Sequence, residues 1–362
     1  MNLKYYRLKI PMKSPFTTSF GTTLDKDVII FELNHDGIKA FSELITSEDP
    51  FYGPEDNTTA FHIIKNYLVK LIQNLPSPEK FNEISNFIRG NNMAKAAMEM
   101  LLYDYHSKVA EKPLFEFINE KPRGYANAGI SLGIDKINVT LEKIQQSLDK
   151  GYKRIKVKIR KGEEVSILAP IRDHFPDIPL SADANSDYTV KDFKTLEKID
   201  KFDLIYLEQP LYHDDIIYHS KLAKILSTPI CLDESITSPE IAENAFEIGA
   251  CRVVNIKPGR VGGLYNSNLI AKIASKNKGH AWIGGMLETG IGRSFNIAMA
   301  SSELIDYPGD TSPNERYFSQ DIVDRLFEMN DGIIKPFNSP GIGVKINESA
   351  LTQFKVEEGV LS

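Results

Sequence analysis

Five charged residues, Lys158, Asp183, Glu208, Asp233 and Lys257, recur along this chain at steps of 25, 25, 25 and 24 residues. Each closes a short apolar run: IKVK, PLSAD, LIYLE, PICLD and VVNIK. One strand, one helix and two loops occupy about 25 residues in a repeating α/β architecture. The beat predicts an α/β fold built on a parallel (β/α) barrel, a modified TIM barrel. Charged residues at the C-terminal ends of successive barrel strands lie on the face that carries the active site.

The beat begins at Tyr125. Strands are expected at residues 126–132, 154–159, 180–184, 204–208, 230–233, 252–257 and 281–284, with a weak eighth near Ile305. Helical patterns at 143–150, 238–248 and 264–276 supply the right-handed crossovers that parallel strands need. Residues 1–120 lack the beat. There, 3–10, 28–34 and 38–44 read as strands, the last two joined by the hairpin signal Asp36-Gly37. Helices are expected at 58–73, 79–87 and 93–108. The reading is an α+β capping domain over 1–120 and a catalytic barrel over 121–317. The stretches DGIIKP, SPGIGVKI and FKVEEG in 318–362 are expected to return as short strands and complete the cap.

The 362 residues allow one barrel and a smaller module. A net charge of −6 argues against a broad nucleic-acid footprint. No stretch approaches 18 consecutive apolar residues, so no membrane span is expected, and the first residues lack a signal peptide's apolar run. Cys231 and Cys251 form no CxxC pair and read as buried free thiols in a reducing compartment. A cytoplasmic homo-oligomer with a small-molecule carboxylate as its partner is expected.

With strands numbered from residue 126, Lys158 falls on the second and Lys257 on the sixth, opposed across an eight-stranded barrel. Asp183, Glu208 and Asp233 fall on the three strands between. Carboxylates crowded at one side of the mouth repel one another unless a cation neutralises them. An all-oxygen set suits Mg²⁺ or Mn²⁺ rather than Zn²⁺; structural ion pairs at strand ends are the plainer alternative. A metal that holds a substrate carboxylate acidifies the adjacent carbon, and a neutral lysine can take that proton. Lys156, two residues before Lys158, offers a positive charge that lowers its neighbour's pKa, or else a contact to the substrate or metal shell. Arg260 can act likewise on Lys257, or be a solvated loop charge. Gly262-Gly263 opens a helix where an anion could approach, or serves a turn alone. The histidines are scattered, with only His213 placed near the rim.

Taken together, Lys156-Val157-Lys158, Asp183-Ala184-Asn185, Glu208-Gln209-Pro210, Asp233-Glu234-Ser235 and Lys257-Pro258-Gly259-Arg260 resemble the enolase superfamily in its muconate-lactonizing branch. Within it, PFTTSFGT (15–22), GGMLETGIGR (284–293) and PGDTSPNERYF (308–318) are similar to o-succinylbenzoate synthases and N-succinylamino acid racemases. The resemblance implies Mg²⁺, or Mn²⁺, held by Asp183, Glu208 and Asp233. It implies Lys158 as base, Lys257 facing it, and Lys156 as a third catalytic lysine. Ser131, Asn185, Arg260, Gly285, Met286 and Leu287 would contact substrate, with Phe20 and Tyr52 closing the pocket from cap loops or merely packing there. Ala40-Phe41-Ser42-Glu43 departs from the Gly-x-Gly-Glu more usual among relatives, which bears on substrate choice. Asp306-Tyr307-Pro308 stands where dipeptide epimerases carry Asp-x-Asp.

Two reactions fit such a site. In the lyase that makes o-succinylbenzoate for menaquinone, one lysine removes the proton and assists loss of a hydroxyl on the same face. In the racemase, the opposite lysine returns a proton instead. A Schiff-base aldolase would leave the three carboxylates unexplained. A metal-binding barrel without turnover is at odds with a chain that retains every expected catalytic residue.

Overall fold

The computed structural model describes residues 1–18 and 21–361, the side chains of 16–18, 21 and 22 excepted. In the N-terminal module, β1 (Asn2–Thr18), β2 (Gly21–His35) and β3 (Ile38–Leu44) form an antiparallel sheet. The first two are longer than the sequence pattern indicated, pairing from Asn2–Asn34 to Thr18–Gly21. Asp36 and Gly37 both take positive φ, 49° and 79°, as a tight primed turn requires. The helix Asn92–Val109 packs against β3, burying Met98, Leu101 and Leu102 with Phe31 and Leu33. This packing removes apolar side chains of the cap from water.

The parallel sheet runs in chain order: β4 (Gly129–Leu132), β5 (Arg154–Lys158), β6 (Leu180–Asp183), β7 (Leu207–Glu208), β8 (Ile230–Leu232), β9 (Val253–Ile256) and β10 (His280–Ile283). Outward residues such as Ile155 and Val157 are buried, as both-sided coverage of a parallel sheet requires. Inside, Tyr206 and Trp282 stack with ring centroids 6.0 Å apart, and the Arg154 guanidinium lies 4.9 Å over the Trp282 ring.

The expected eighth strand near Ile305 does not form. An irregular stave two residues later does its work. Tyr307 N donates to Ala281 O at 3.2 Å and Asp310 N to Ile283 O at 2.9 Å, while Gly129 N donates to Gly309 O at 2.7 Å. The stave thus touches both β10 and β4. A Cβ at Gly309 would meet Ile283 O at 2.4 Å, so the approach admits only glycine. The expected first strand is also divided. Ala126–Asn127 pairs antiparallel with Ile333–Ile334, and only Gly129–Leu132 joins the barrel.

The tail behaves in part as expected. FKVEEG, after a Phe354 that ends the helix Glu348–Phe354, runs into β11 (Lys355–Leu361), which pairs antiparallel with β1 and completes the cap sheet. DGIIKP does not return to the cap: Met329–Asn330 and Ile333–Ile334 make a hairpin on Ala126–Asn127. SPGIGVKI forms only isolated bridges, at Gly341 and Ile346.

Two buried carboxylates fasten cap to barrel. Glu99 accepts Leu264 N at 2.6 Å and Tyr265 N at 2.9 Å, at the start of the helix Leu264–Lys276. Glu43 accepts the Thr289 hydroxyl at 2.6 Å and Gly292 N at 2.9 Å, at the start of the helix Gly290–Ala300. Both sit where unpaired helix N–H groups favour negative charge. The group that approaches Gly262-Gly263 is therefore the chain's own Glu99 carboxyl. A Cβ at Gly263, whose φ is 122°, would lie 2.0 Å from the Glu99 Oε2.

Candidate active site

The C-terminal ends of β5 to β9 bring the charged ladder to one mouth. Asp183 and Glu208 are register partners across β6 and β7. Asp233 and Lys257 follow directly on β8 and β9. Just beyond the strand ends, Asn185, Gln209 and Leu287 adopt φ of 43°, 35° and 61°. Side-chain-bearing residues keep such backbone only when the surroundings hold it, and such strain gathers at functional sites. Gln209 shows the support: its amide donates to the Ser235 hydroxyl at 2.7 Å and its oxygen accepts Asp233 N at 3.0 Å.

On one side of the mouth, the Lys156 ammonium reaches Glu208 at 2.8 Å, Asp310 at 3.1 Å and Asp183 at 3.8 Å. Lys158, nearer the opening, donates to Asp183 at 3.2 Å and also to the Asn185 side-chain oxygen. On the other side, Lys257 donates to Asp233 at 2.9 Å and to the Tyr52 hydroxyl at 2.8 Å. The Arg260 guanidinium holds the second Asp233 oxygen and donates to Tyr52 at 2.7 Å.

These contacts set the electrostatics. Burial works against the Lys257 charge, yet Asp233 and Tyr52 raise its pKa above the ordinary lysine range. Burial likewise opposes ionisation of Asp233, but Arg260 and Lys257 hold it well below the usual carboxylate range. Burial pushes Glu208 up to about 8, with Asp183 and Asp233 adding to the rise against the pull of Lys156. Burial, then the neighbouring Asp233, brings Glu234 to about 7.

A cavity of about 490 Å³ opens over this mouth, between cap and barrel. Lys156, Lys158, Lys257, Asp183, Asp233, Ser131, Asn185, Gly285, Met286, Leu287 and Tyr52 all line it. Glu208 is fully buried behind them. Phe20 lies outside the described residues. Arg260 does not stand in solvent and is not among the residues that line the cavity, while its charge pulls the Lys257 pKa down, the other role expected of it. It is buried behind Asp233 and tied to the carbonyls of Ile236 and Asn255 at 3.0 and 2.8 Å. Lys156 is only 3% exposed, its ammonium enclosed by Glu208, Asp310 and Asp183. His213 is exposed on a loop.

Sequence reasoning assigned no role to several residues that the fold brings here. Asp310, from the closing stave, lines the cavity and binds Arg154 at 2.7 Å. Arg316 lines it too, donating to Ser131 O at 2.6 Å. Both lie in PGDTSPNERYF, which carried the resemblance without a role. Lys26, from β2, also lines the cavity, and no motif marks it.

Among the described residues, no three His, Cys, Asp or Glu side chains form a ready-made metal cage. The lysines and Arg260 draw Asp183, Glu208 and Asp233 toward themselves. The residues nevertheless fit a hard divalent cation. The donors are all carboxylate oxygens on consecutive strand ends. Beside them, Glu234 is buried with neither carboxylate oxygen partnered, and Glu208 resists ionisation. Added positive charge would relieve both.

Residues 140–350 match the enolase C-terminal domain-like family, and residues 3–119 match the mandelate racemase / muconate lactonizing enzyme N-terminal domain. An o-succinylbenzoate synthase of Geobacillus kaustophilus is 39% identical over 361 residues, covering 98% of this chain and 96% of its own. An N-succinylamino acid racemase of Thermus thermophilus is 37% identical, covering 94% and 92%. A solved enolase-superfamily structure from Listeria innocua superposes with a TM-score of 0.96 at 36% identity, covering 99% and 98%. Fold, strand-end chemistry and these likenesses agree, and the chain belongs to the enolase superfamily.

Proposed function

We propose that this chain is a lyase of the o-succinylbenzoate synthase type. It removes a proton next to a carboxylate and eliminates a hydroxyl, with racemisation of N-succinylamino acids as a second activity at the same site. Mg²⁺, or Mn²⁺, bound by Asp183, Glu208 and Asp233 would stabilise the negative charge that grows on the substrate carboxylate as its α-carbon loses a proton. Lys158, at the end of β5 and open to the cavity, takes that proton. In the elimination it passes the proton to the departing hydroxyl on the same face, so that water leaves. Lys257, held protonated beside Asp233, faces the developing anion from the opposite stave. Lys156 stays charged between Glu208 and Asp310, positioning the acids rather than meeting substrate. We place the enzyme in the cytoplasm, in keeping with its two buried free thiols.

One observation carries the reading. Lys158 and Lys257, four strands apart in the barrel order, line one cavity with Asp183 and Asp233 between them. The racemase reading draws on the same pair, because Lys257 holds a proton available to the opposite face. The test is a paired assay with Mg²⁺, setting kcat/KM for the cyclohexadiene precursor of o-succinylbenzoate against that for N-succinylamino acids. Dehydration is expected to be the faster; faster racemisation would make the racemase the principal activity. Turnover of neither contradicts the proposal.

A further inference from the structure

Lys26 lies on β2 and lines the same cavity as Lys158 and Lys257, although only 5% exposed. Its ammonium donates to the Thr46 carbonyl at 3.0 Å. Among the described residues, no carboxylate stands within 4.0 Å of it as an ion-pair partner. The acids whose charges act on it, Glu43, Glu288 and Asp27, are committed elsewhere. Glu43 binds Thr289 and Gly292. Glu288 accepts Met286 N at 2.7 Å and meets Arg293 at 2.9 Å. Asp27 is bound by Arg7 at 2.7 Å and by Asn57 at 3.1 Å. Asn57 in turn holds the Thr46 hydroxyl, so the carbonyl that anchors Lys26 belongs to a braced shelf.

A buried ammonium with one neutral acceptor is destabilising, and proteins retain such groups where an anion is to be met. Burial pulls the Lys26 pKa down, and a carboxylate brought against it would offset that. We propose that Lys26 binds a second, remote carboxylate of the substrate, making the enzyme selective for dicarboxylates. One carboxylate lies at the catalytic centre and the other against the cap lysine. This rests on the functional reading above, since a succinyl group carries a terminal carboxylate several bonds from the reacting carbon. Asp25, Glu48 and Asp49 also line the cavity, but at exposed positions where water and salt screen them. The buried charge dominates because it acts in a poorer dielectric.

Calorimetric titration of the full chain with Mg²⁺ tests this, using o-succinylbenzoate and 2-butanoylbenzoate, which ends in a methyl where the first has its remote carboxylate. The unmodified chain is expected to prefer the diacid at least tenfold. Lys26→Met should reduce that preference to within about twofold while leaving binding of the mono-acid unchanged, and Lys26→Arg should keep most of it. If Lys26→Met does not fold, Lys26→Gln, which can still donate to the Thr46 carbonyl, carries the same comparison. A preference that survives removal of the charge, or equal loss of affinity for both ligands, overturns the role of Lys26. Turnover is read separately: no dehydration and no racemisation by the unmodified chain overturns the functional reading, whereas normal turnover without diacid preference overturns only this assignment.

Discussion

Lys257 donates to the Tyr52 hydroxyl at 2.8 Å, so an amine at the end of a barrel strand is held from the cap. The same hydroxyl accepts from Arg260 at 2.7 Å, and the Lys257 ammonium lies 4.6 Å over the Tyr52 ring. Seating of the cap and placement of the second lysine are thereby one event. Tyr52→Phe keeps the ring and removes the hydroxyl. A lost hydrogen bond of about 1 kcal/mol corresponds to a fall in kcat of roughly fivefold to tenfold. The expected result is that loss in steady-state kinetics with little change in melting temperature. Unchanged kcat would show that the contact does not position Lys257.

Lys158→Ala removes the proposed base and leaves Asp183, Glu208 and Asp233 in place. Positioned proton transfer is worth about 10²–10⁴-fold. Dehydration and racemisation should fall together by that order, while Mg²⁺ affinity measured by calorimetry changes little. Loss of one activity with the other intact would separate the two reactions and contradict a shared base.

How much of this was legible follows from where each signal resides. The ladder could be read because strand-end charges and a 25-residue period are local properties of the chain. Lys158, Asp183, Asp233 and Lys257 accordingly line one cavity, as their spacing implied. The closing stave was not legible. Tyr307 to Asp310 has no apolar alternation, and its place depends on backbone approach at Gly309. The burial of Arg260 was not legible because it comes from carbonyls that converge only in the folded barrel. Lys26 left no trace because its meaning lies in its place on the cavity that cap and barrel enclose, which the order of residues along the chain does not show.

The Glu99–Gly263 contact makes a stability test independent of catalysis. Gly263→Ala places a Cβ against the Glu99 carboxylate at a φ that L residues rarely adopt. Strain and overpacking together should cost roughly 3 kcal/mol. A lowered melting temperature is expected, with helix 264–276 losing hydrogen-exchange protection first. A neutral substitution would mean that the helix start can shift at little cost.

Burial pushes Glu99 up to about 8 against its two backbone donors, and Glu43 to about 7. In the unfolded chain both titrate near about 4.3. Between that value and pH 8 the native state binds more protons than the unfolded state, so stability should fall as pH rises through this window. Below it both states are protonated; above it both are ionised, and neither group adds further slope. Glu99→Gln should flatten melting temperature against pH between 5 and 8. An unaltered slope would place the pH dependence elsewhere.

Chelation should abolish turnover, and Mg²⁺ or Mn²⁺ should restore it. Addition of Mg²⁺ to chelated protein should also raise the melting temperature, since a ligand of the native state stabilises it by mass action. Full activity in excess chelator would reject the carboxylate site.

The most direct measurement is a crystal structure with Mg²⁺ and o-succinylbenzoate bound. The expected result places the ion about 2.0–2.1 Å from oxygens of Asp183, Glu208 and Asp233. It also places the benzoate carboxylate on the ion, with the Lys158 and Lys257 amines on opposite faces of the carbon beside it. An ion held elsewhere, or both amines on one face, would contradict the account.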